Sequence, residues 1–369
     1  MKKILIGYIA NTKGSGLDNY IYHLVDILKK EDVQIDLLSS AIDQELKDKY
    51  KNYTNIRVLP IDRIPHPKKR YEQIKKYVQE NKYDVAYFNI SEAFDCIGNI
   101  ACKKDIPVII THSHNSGNDN ANRLKREVSK MAHYLCRPLL NRYSTYRYSC
   151  SDHAASWLYG KGKPYRLIRN TIDASRFAWN LQDRQMIRAR HGAGEDQKVI
   201  GFVGSLSHAK NPVLLLKLMM ELNKESAENE YSLWIIGDGM LRDSLEQTVK
   251  ENNIRGIKFL GKQADIEKYY SAMDLFILPS NFEGYPLVGV EAQANGLPCL
   301  FSSTITHDIA FSRHSQFFDT RNIEEGIRKV KELLKMGRID PKDFDPGIVY
   351  DLKDQEQEFI DIFINGKFE

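Results

Sequence analysis

The sequence predicts an α/β protein built from two Rossmann-like, doubly wound parallel-sheet domains, and three observations carry that expectation. The chain has 369 residues, too many for one core at roughly 150 residues per domain. Short apolar runs alternate with amphipathic segments almost from end to end, as successive βαβ units require. The rhythm breaks once, over a polar, arginine-rich stretch at 180–194, and then restarts.

In the first half the apolar runs place strands at 4–10, 34–39, 56–59, 85–89, 108–111, 147–150 and 165–168. Helical patterns at 20–30, 69–80 and 123–140 lie between them. After the break, strands are expected at 199–204, 232–237, 257–260, 275–278 and 299–302. This divides the chain into a first domain at 1–175, a linker at 176–194 and a second domain at 195–346. A last amphipathic helix within 350–369 is expected to brace the first domain. Two such sheets in tandem are expected to face a cleft, with ligands at the carboxyl ends of the strands.

Composition narrows the class. Hydrophobic residues at 42% and charged residues at 28% describe an ordinary globular chain. The cysteines (Cys96, Cys102, Cys136, Cys150, Cys299) are scattered, with no C-x-x-C pair. Reduced thiols in the cytoplasm are therefore expected, not a disulfide framework or a zinc site. The apolar run after Met1-Lys2-Lys3 is short and lacks a cleavage pattern, so it reads as a first strand and not a signal peptide. No stretch approaches the roughly 18 apolar residues of a membrane span.

Charge is divided unevenly. Up to Asn170 the chain carries 29 Lys and Arg against 18 Asp and Glu, and beyond it 24 against 31. A basic first half suits a phosphorylated acceptor or an anionic membrane surface; a nucleic acid is not expected. Arg123, Lys125, Arg126 and Lys130 interleave with Leu124, Val128, Met131 and Leu135, forming a basic amphipathic helix that could rest on such a surface.

The most informative segment runs from Leu278 to Pro298. A buried strand ends at Leu278, a loop carries Glu283 and Gly284, and Pro286 suits the first turn of a helix that Gly296 closes. A helix start at a sheet mouth offers N–H groups and a dipole to a diphosphate. Gly284 permits close approach to a ligand. Glu283 and Glu291, a turn and a half into the helix, could hold two hydroxyl-bearing groups on either side of it. Val203-Gly204-Ser205-Leu206-Ser207-His208-Ala209-Lys210-Asn211-Pro212 also follows a strand and opens a helix, as does Ile235-Ile236-Gly237-Asp238-Gly239. In the first half, Asn11 to Asn19 includes Gly14, Gly16 and Asp18, a glycine-rich turn suited to a phosphate or an acceptor. It lacks the third glycine of a dinucleotide fingerprint. His112 and His114 end another strand on one face.

Glu283-x7-Glu291, within Glu-Gly-Tyr-Pro-Leu-x5-Glu-Ala-Gln-Ala-x-Gly-Leu-Pro, resembles the signature of the GT-B-fold retaining glycosyltransferases of family 4. His112-Ser113-His114-Asn115 resembles an element of a subgroup that builds capsular and exopolysaccharides. The resemblance implies a GT-B fold and a hexosyltransferase using a UDP-sugar without metal or other cofactor. It implies that Glu283, with the backbone of Gly284, Tyr285, Pro286 and Leu287, orients the donor sugar. Glu291 would bind the ribose, and Lys210 would face the phosphates beside Gly204. Ser205 stands where the family has arginine, which removes one phosphate cation. Asp238 and Asn170 fall on turns that the family places near the donor, and Gly16 on the glycine-rich turn. Of the two histidines, His112 is preferred over His114 as the group contacting the sugar. The expected acceptor is a glycan or a polyprenyl-diphosphate-linked glycan. Two alternatives keep the fold: a UDP-sugar 2-epimerase, and a non-catalytic donor-binding subunit of a polysaccharide assembly complex.

Overall fold

The computed structural model describes residues 1–10, 16–62, 66–119, 122–225, 230–343 and 351–369. It divides into two compact units. The first comprises Met1–Ser116, Leu124–Thr171 and Leu352–Glu369, and the second Gly117–Arg123 and Ile172–Asp351.

The first unit holds a seven-stranded sheet of β1 (Lys2–Ile9), β2 (Val33–Ser39), β3 (Ile56–Pro60), β4 (Val85–Ile90), β5 (Val108–Ser113), β6 (Tyr146–Ser149) and β7 (Arg166–Leu167). Its order is β3-β2-β1-β4-β5-β6-β7, and its pairs are parallel. Both faces are covered, so successive residues of one strand enter different cores. Ile4 and Ile6 join one cluster with Leu24, Ile35 and Tyr87, while Leu5 joins the other with Ile74, Phe88 and Leu158. That is why these strands read as continuous apolar runs. The last helix, Leu352–Phe363, adds Phe359, Ile362 and Phe363 to the first cluster. Gln355 anchors it, accepting from the Thr171 hydroxyl and donating to the Arg169 carbonyl, both at 2.7 Å.

The second unit repeats the winding with β8 (Lys198–Val203), β9 (Tyr231–Ile236), β10 (Ile257–Gly261), β11 (Leu275–Leu278), β12 (Cys299–Ser302) and β13 (Ser315–Phe318). The order is β10-β9-β8-β11-β12-β13, again parallel. Order reverses between β8 and β11, the switch point where such sheets open a crevice at their carboxyl ends.

Two expectations need correction. Residues 176–194 are not a linker but part of the second unit, with a helix at Leu181–Arg190. Arg184 and Arg188 bond Asp274 at 2.7 and 3.2 Å and also the carbonyl of Ala272. They satisfy the open end of the helix Ile266–Ala272. Strand β13 was not expected at all. The ends proposed for the second domain at 346 and for the last segment at 350 lie outside the described residues, as do residues 11–15 of the glycine-rich turn.

Candidate active site

Strands β8 and β11 pair at the switch point, so the loops that follow them run side by side. Backbone and side-chain bonds join these loops. Asn281 donates its N–H to the Ala209 carbonyl and its side-chain amide to the His208 carbonyl, both at 2.7 Å. Asn211, at φ +50°, donates to the Pro279 carbonyl at 3.3 Å. The result brings Lys210 Nζ to 2.5 Å from Glu283 Oε1, although the two stand 73 residues apart. Ser280 Oγ donates to the same oxygen at 2.7 Å. Both charged side chains are largely enclosed, 19% and 12% exposed. On the outer side, Asp119 accepts from the Ala209 N–H at 2.7 Å, and Gly117 lies so close to Phe282 that a Cβ would sit 2.6 Å from its ring.

Gly284, Tyr285 and Pro286 are buried and lead into the helix Leu287–Ala294. Pro286 is the cap before the helix and not a residue of its first turn; its carbonyl receives the N–H groups of Gly289 and Val290. At the other end Leu297 N–H reaches the Ala292 carbonyl and Gly296 N–H the Gln293 carbonyl. This is a Schellman closure, which requires the left-handed residue that Gly296 supplies at φ +78°. Glu291 accepts from the hydroxyl of the buried Tyr270 at 2.8 Å. Burial pushes the Glu291 carboxyl up to about 7, and the Tyr270 hydrogen bond only partly opposes it.

The Gly237-Asp238-Gly239 turn serves the neighbouring loop. A Cβ at Gly237, where φ is +132°, would lie 1.9 Å from the Gly204 carbonyl oxygen, and one at Gly239 2.6 Å from the Leu206 carbonyl oxygen. Leu206 N–H donates to the Asp238 carbonyl at 3.0 Å. The Asp238 carboxylate bonds the N–H of Gly239 at 2.8 Å and is exposed, so it caps its own turn. Ser205 is exposed, its hydroxyl 3.2 Å from that of Ser207. Gly237→Ala is expected to cost about 2–4 kcal/mol of stability through strain and a backbone clash, read as a lowered denaturant midpoint. An unchanged midpoint would contradict this account of the turn.

The remaining candidates belong to the first unit. His112, on β5, is fully buried, its Nδ1 2.5 Å from the Tyr87 hydroxyl and 3.2 Å from that of Tyr20. His114 follows the strand and keeps some exposure; the two rings stand 4.0 Å apart. Asn89 donates its amide to the Gly7 carbonyl at 3.1 Å, which turns its Oδ1 toward His114 Nε2 at 2.9 Å. A carbonyl oxygen only accepts, so Nε2 carries a proton. Burial holds His112 well below the usual imidazole range. It lowers His114 to about 3, against a hydrogen bond with Asn170 that favours the charged form. Both rings are therefore neutral at ordinary pH. Asn170 itself is buried. Gly16 is the exposed first residue of the helix Gly16–Leu28.

Sequence reasoning missed Ser280, Asn281, Tyr270, Asp119 and Asn89. Ser280 and Asn281 sat inside the quoted loop and offered a signal in their residue type. The other three gave none, because their partners are remote in the chain.

Comparison with known proteins accords with this geometry. Residues 14–176 match Glycosyltransferase Family 4 and residues 183–346 match Glycosyl transferases group 1. The Bacillus subtilis protein designated glycosyltransferase EpsF is 27% identical over 316 residues, covering 84% of this chain and 81% of that one. The UDP-Gal:alpha-D-GlcNAc-diphosphoundecaprenol alpha-1,3-galactosyltransferase of Escherichia coli is 25% identical over 232 residues, covering 62% and 60%. HepE of Anabaena, solved with UDP and glucose, aligns at a TM-score of 0.74 with 17% identity, covering 99% of this chain and 100% of that one. At that identity the likeness speaks for the fold, which is GT-B. A Glycosyltransferase Family 4 domain followed by a group 1 domain, on that fold, makes this chain a GT-B glycosyltransferase of the family 4 type.

Proposed function

We propose that the chain is a retaining, metal-independent hexosyltransferase. It would move a sugar from a UDP-sugar to a glycan or polyprenyl-diphosphate-linked acceptor in cell-surface polysaccharide synthesis. The observation that carries this reading is the contact of Lys210 with Glu283 at a sheet switch point, beside the start of the helix that bears Glu291. Names of relatives support the donor and acceptor classes: one acts from UDP-galactose on a diphosphoundecaprenol-linked sugar, and HepE was solved with UDP and glucose.

In this reading the donor diphosphate takes Lys210 as its cation, and Glu283 is released to accept sugar hydroxyls. The bond from the anomeric carbon to the β-phosphate oxygen breaks while the acceptor oxygen bonds the same face. The acceptor's proton passes to the departing phosphate oxygen. Lys210 and the first-turn N–H groups of the helix stabilise the charge growing on UDP, worth about a hundredfold to a thousandfold per group. Glu291 holds the ribose. The test is a UDP-sugar screen with lipid-linked acceptors in the presence of EDTA. Acceptor-dependent UDP release with the anomeric configuration kept is expected. Epimerised free sugar without acceptor, or UDP-sugar binding with no turnover on any acceptor, would sink the proposal.

We assign the sugar-facing role in the first unit to His114 and not to His112, because His112 is fully buried and enclosed by two tyrosines, whereas His114 keeps some exposure beyond the strand end. His114→Ala is expected to lower kcat about a hundredfold with little change in stability. His112→Ala should instead cost about 2–4 kcal/mol of stability, by leaving a cavity and stranded hydroxyls. The opposite pattern in turnover and melting measurements would return the role to His112.

A further inference from the structure

The helix Arg123–Tyr143 is seated firmly by one face. His133 and Leu140 are fully buried, His133 meets Glu92 at 2.7 Å, and Arg137 donates to the Trp157 carbonyl at 2.6 Å. The opposite face is apolar and open. Leu124 is 75% exposed, Val128 54%, Met131 59%, Leu135 71% and Leu139 42%, with Tyr134 at 52% beside them. Spacings of four, three, four and four residues align the aliphatic five in one stripe, about 22 Å long at the helical rise. Exposed leucines scattered singly need no explanation, but a contiguous stripe on a seated helix does.

Cations border the stripe. Lys125 flanks its first end, beside a shallow groove shared with Phe94. Lys103, Lys104 and Arg142 surround one depression at the far end, and all four of these side chains are exposed. The helix carries six Lys and Arg residues and a single acid, Glu127, which lies 3.5 Å from Lys130. No described helix is long and apolar enough to cross a membrane.

We propose that this face docks the protein onto an anionic lipid bilayer, with the helix lying in the interface plane. The aliphatic stripe enters the acyl boundary while Lys125, Arg142 and their neighbours reach lipid phosphates. A second copy of the chain is the poorer occupant, since a two-fold contact through this face would bring Lys125, Arg142 and the lysines bordering the stripe up against a like-charged rim. The docking does not depend on which sugar or acceptor the enzyme uses.

The test is co-sedimentation of the full chain with phosphatidylcholine vesicles and with mixed phosphatidylcholine–phosphatidylglycerol vesicles. Binding to the mixed vesicles should be at least about tenfold tighter, and should weaken as sodium chloride is raised. Leu124→Gln with Leu135→Gln should lower it about tenfold or more. Lys125→Glu with Arg142→Glu should abolish the preference for phosphatidylglycerol. Retained UDP-sugar binding and an unchanged near-ultraviolet circular dichroism spectrum show that each variant is folded; the wild-type salt dependence stands without them. Equal binding of the wild type to both vesicles overturns the proposal. So does a folded leucine variant that binds as well as wild type, or a wild-type dimer that the leucine variant splits.

Discussion

Replacing Lys210 by alanine is expected to lower kcat/KM about a thousandfold or more, and Glu283→Ala to do the same, with the fold kept. The two losses have different origins. In the proposed reaction, losing Lys210 takes the side-chain cation away from the charge developing on the departing UDP. Losing Glu283 takes away the carboxylate proposed to orient the sugar. Stability should separate them further. Lys210→Ala leaves an enclosed carboxylate without the cation that contacts it, beside the Ser280 hydroxyl, and should cost about 1–3 kcal/mol. The double variant removes both charges and should recover part of that, so the two changes will not add. Activity in the double variant should be no lower than in the worse single one, because either deletion already disables the same unit. Wild-type-like turnover in both single variants would remove this pair from the reaction.

Much of the architecture was legible because buried parallel strands announce themselves as apolar runs of fixed length. All the expected strands occur within a residue or two, and helix endings such as Gly296 were set by local chemistry. Strand β13 escaped because Ser-Gln-Phe-Phe is short, half-exposed and polar at its start. The segment 176–194 was misread because its arginines are neutralised by carbonyls and an aspartate some eighty to ninety residues away. A charged stretch looks solvated until its partners are known.

The candidate site divides in the same way. Motif spacing singled out Glu283 and Lys210, which lie on loops after strand ends, and Glu291, which lies inside the following helix. The relation between His112 and His114 was only half legible. Alternation along a strand puts both on one face, but depth is set by Tyr20 and Tyr87, from other strands and helices. The glycines of the 237–239 turn were legible as turn glycines. Their contact with the Gly204–Leu206 backbone, which fixes the Lys210 loop, required the fold.

Glu291→Gln is the second large expected effect, and it moves affinity and stability in opposite directions. Burial raises the Glu291 carboxyl to about 7, above its ordinary value of 4.5. A folded-state value above the unfolded one means that stability is intact below the unfolded value and is lost as pH rises through about 7. At about pH 8 the buried charge should therefore cost the free protein roughly 2–3 kcal/mol, which glutamine avoids, so the variant should melt at a higher temperature there. In the proposed role the carboxylate offsets that cost as the better acceptor for two ribose hydroxyls. Glutamine should weaken UDP-sugar binding about tenfold to a hundredfold. The same ionisation makes wild-type affinity fall about tenfold between about pH 8 and about pH 6, because binding must first remove the proton. A UDP-sugar suits the measurement, since its diphosphate has no group titrating in that window. The glutamine variant should bind with no such slope. A flat wild-type profile, or a glutamine variant that binds as tightly as the parent, would detach Glu291 from the ribose and leave its burial against Tyr270 as a purely structural contact.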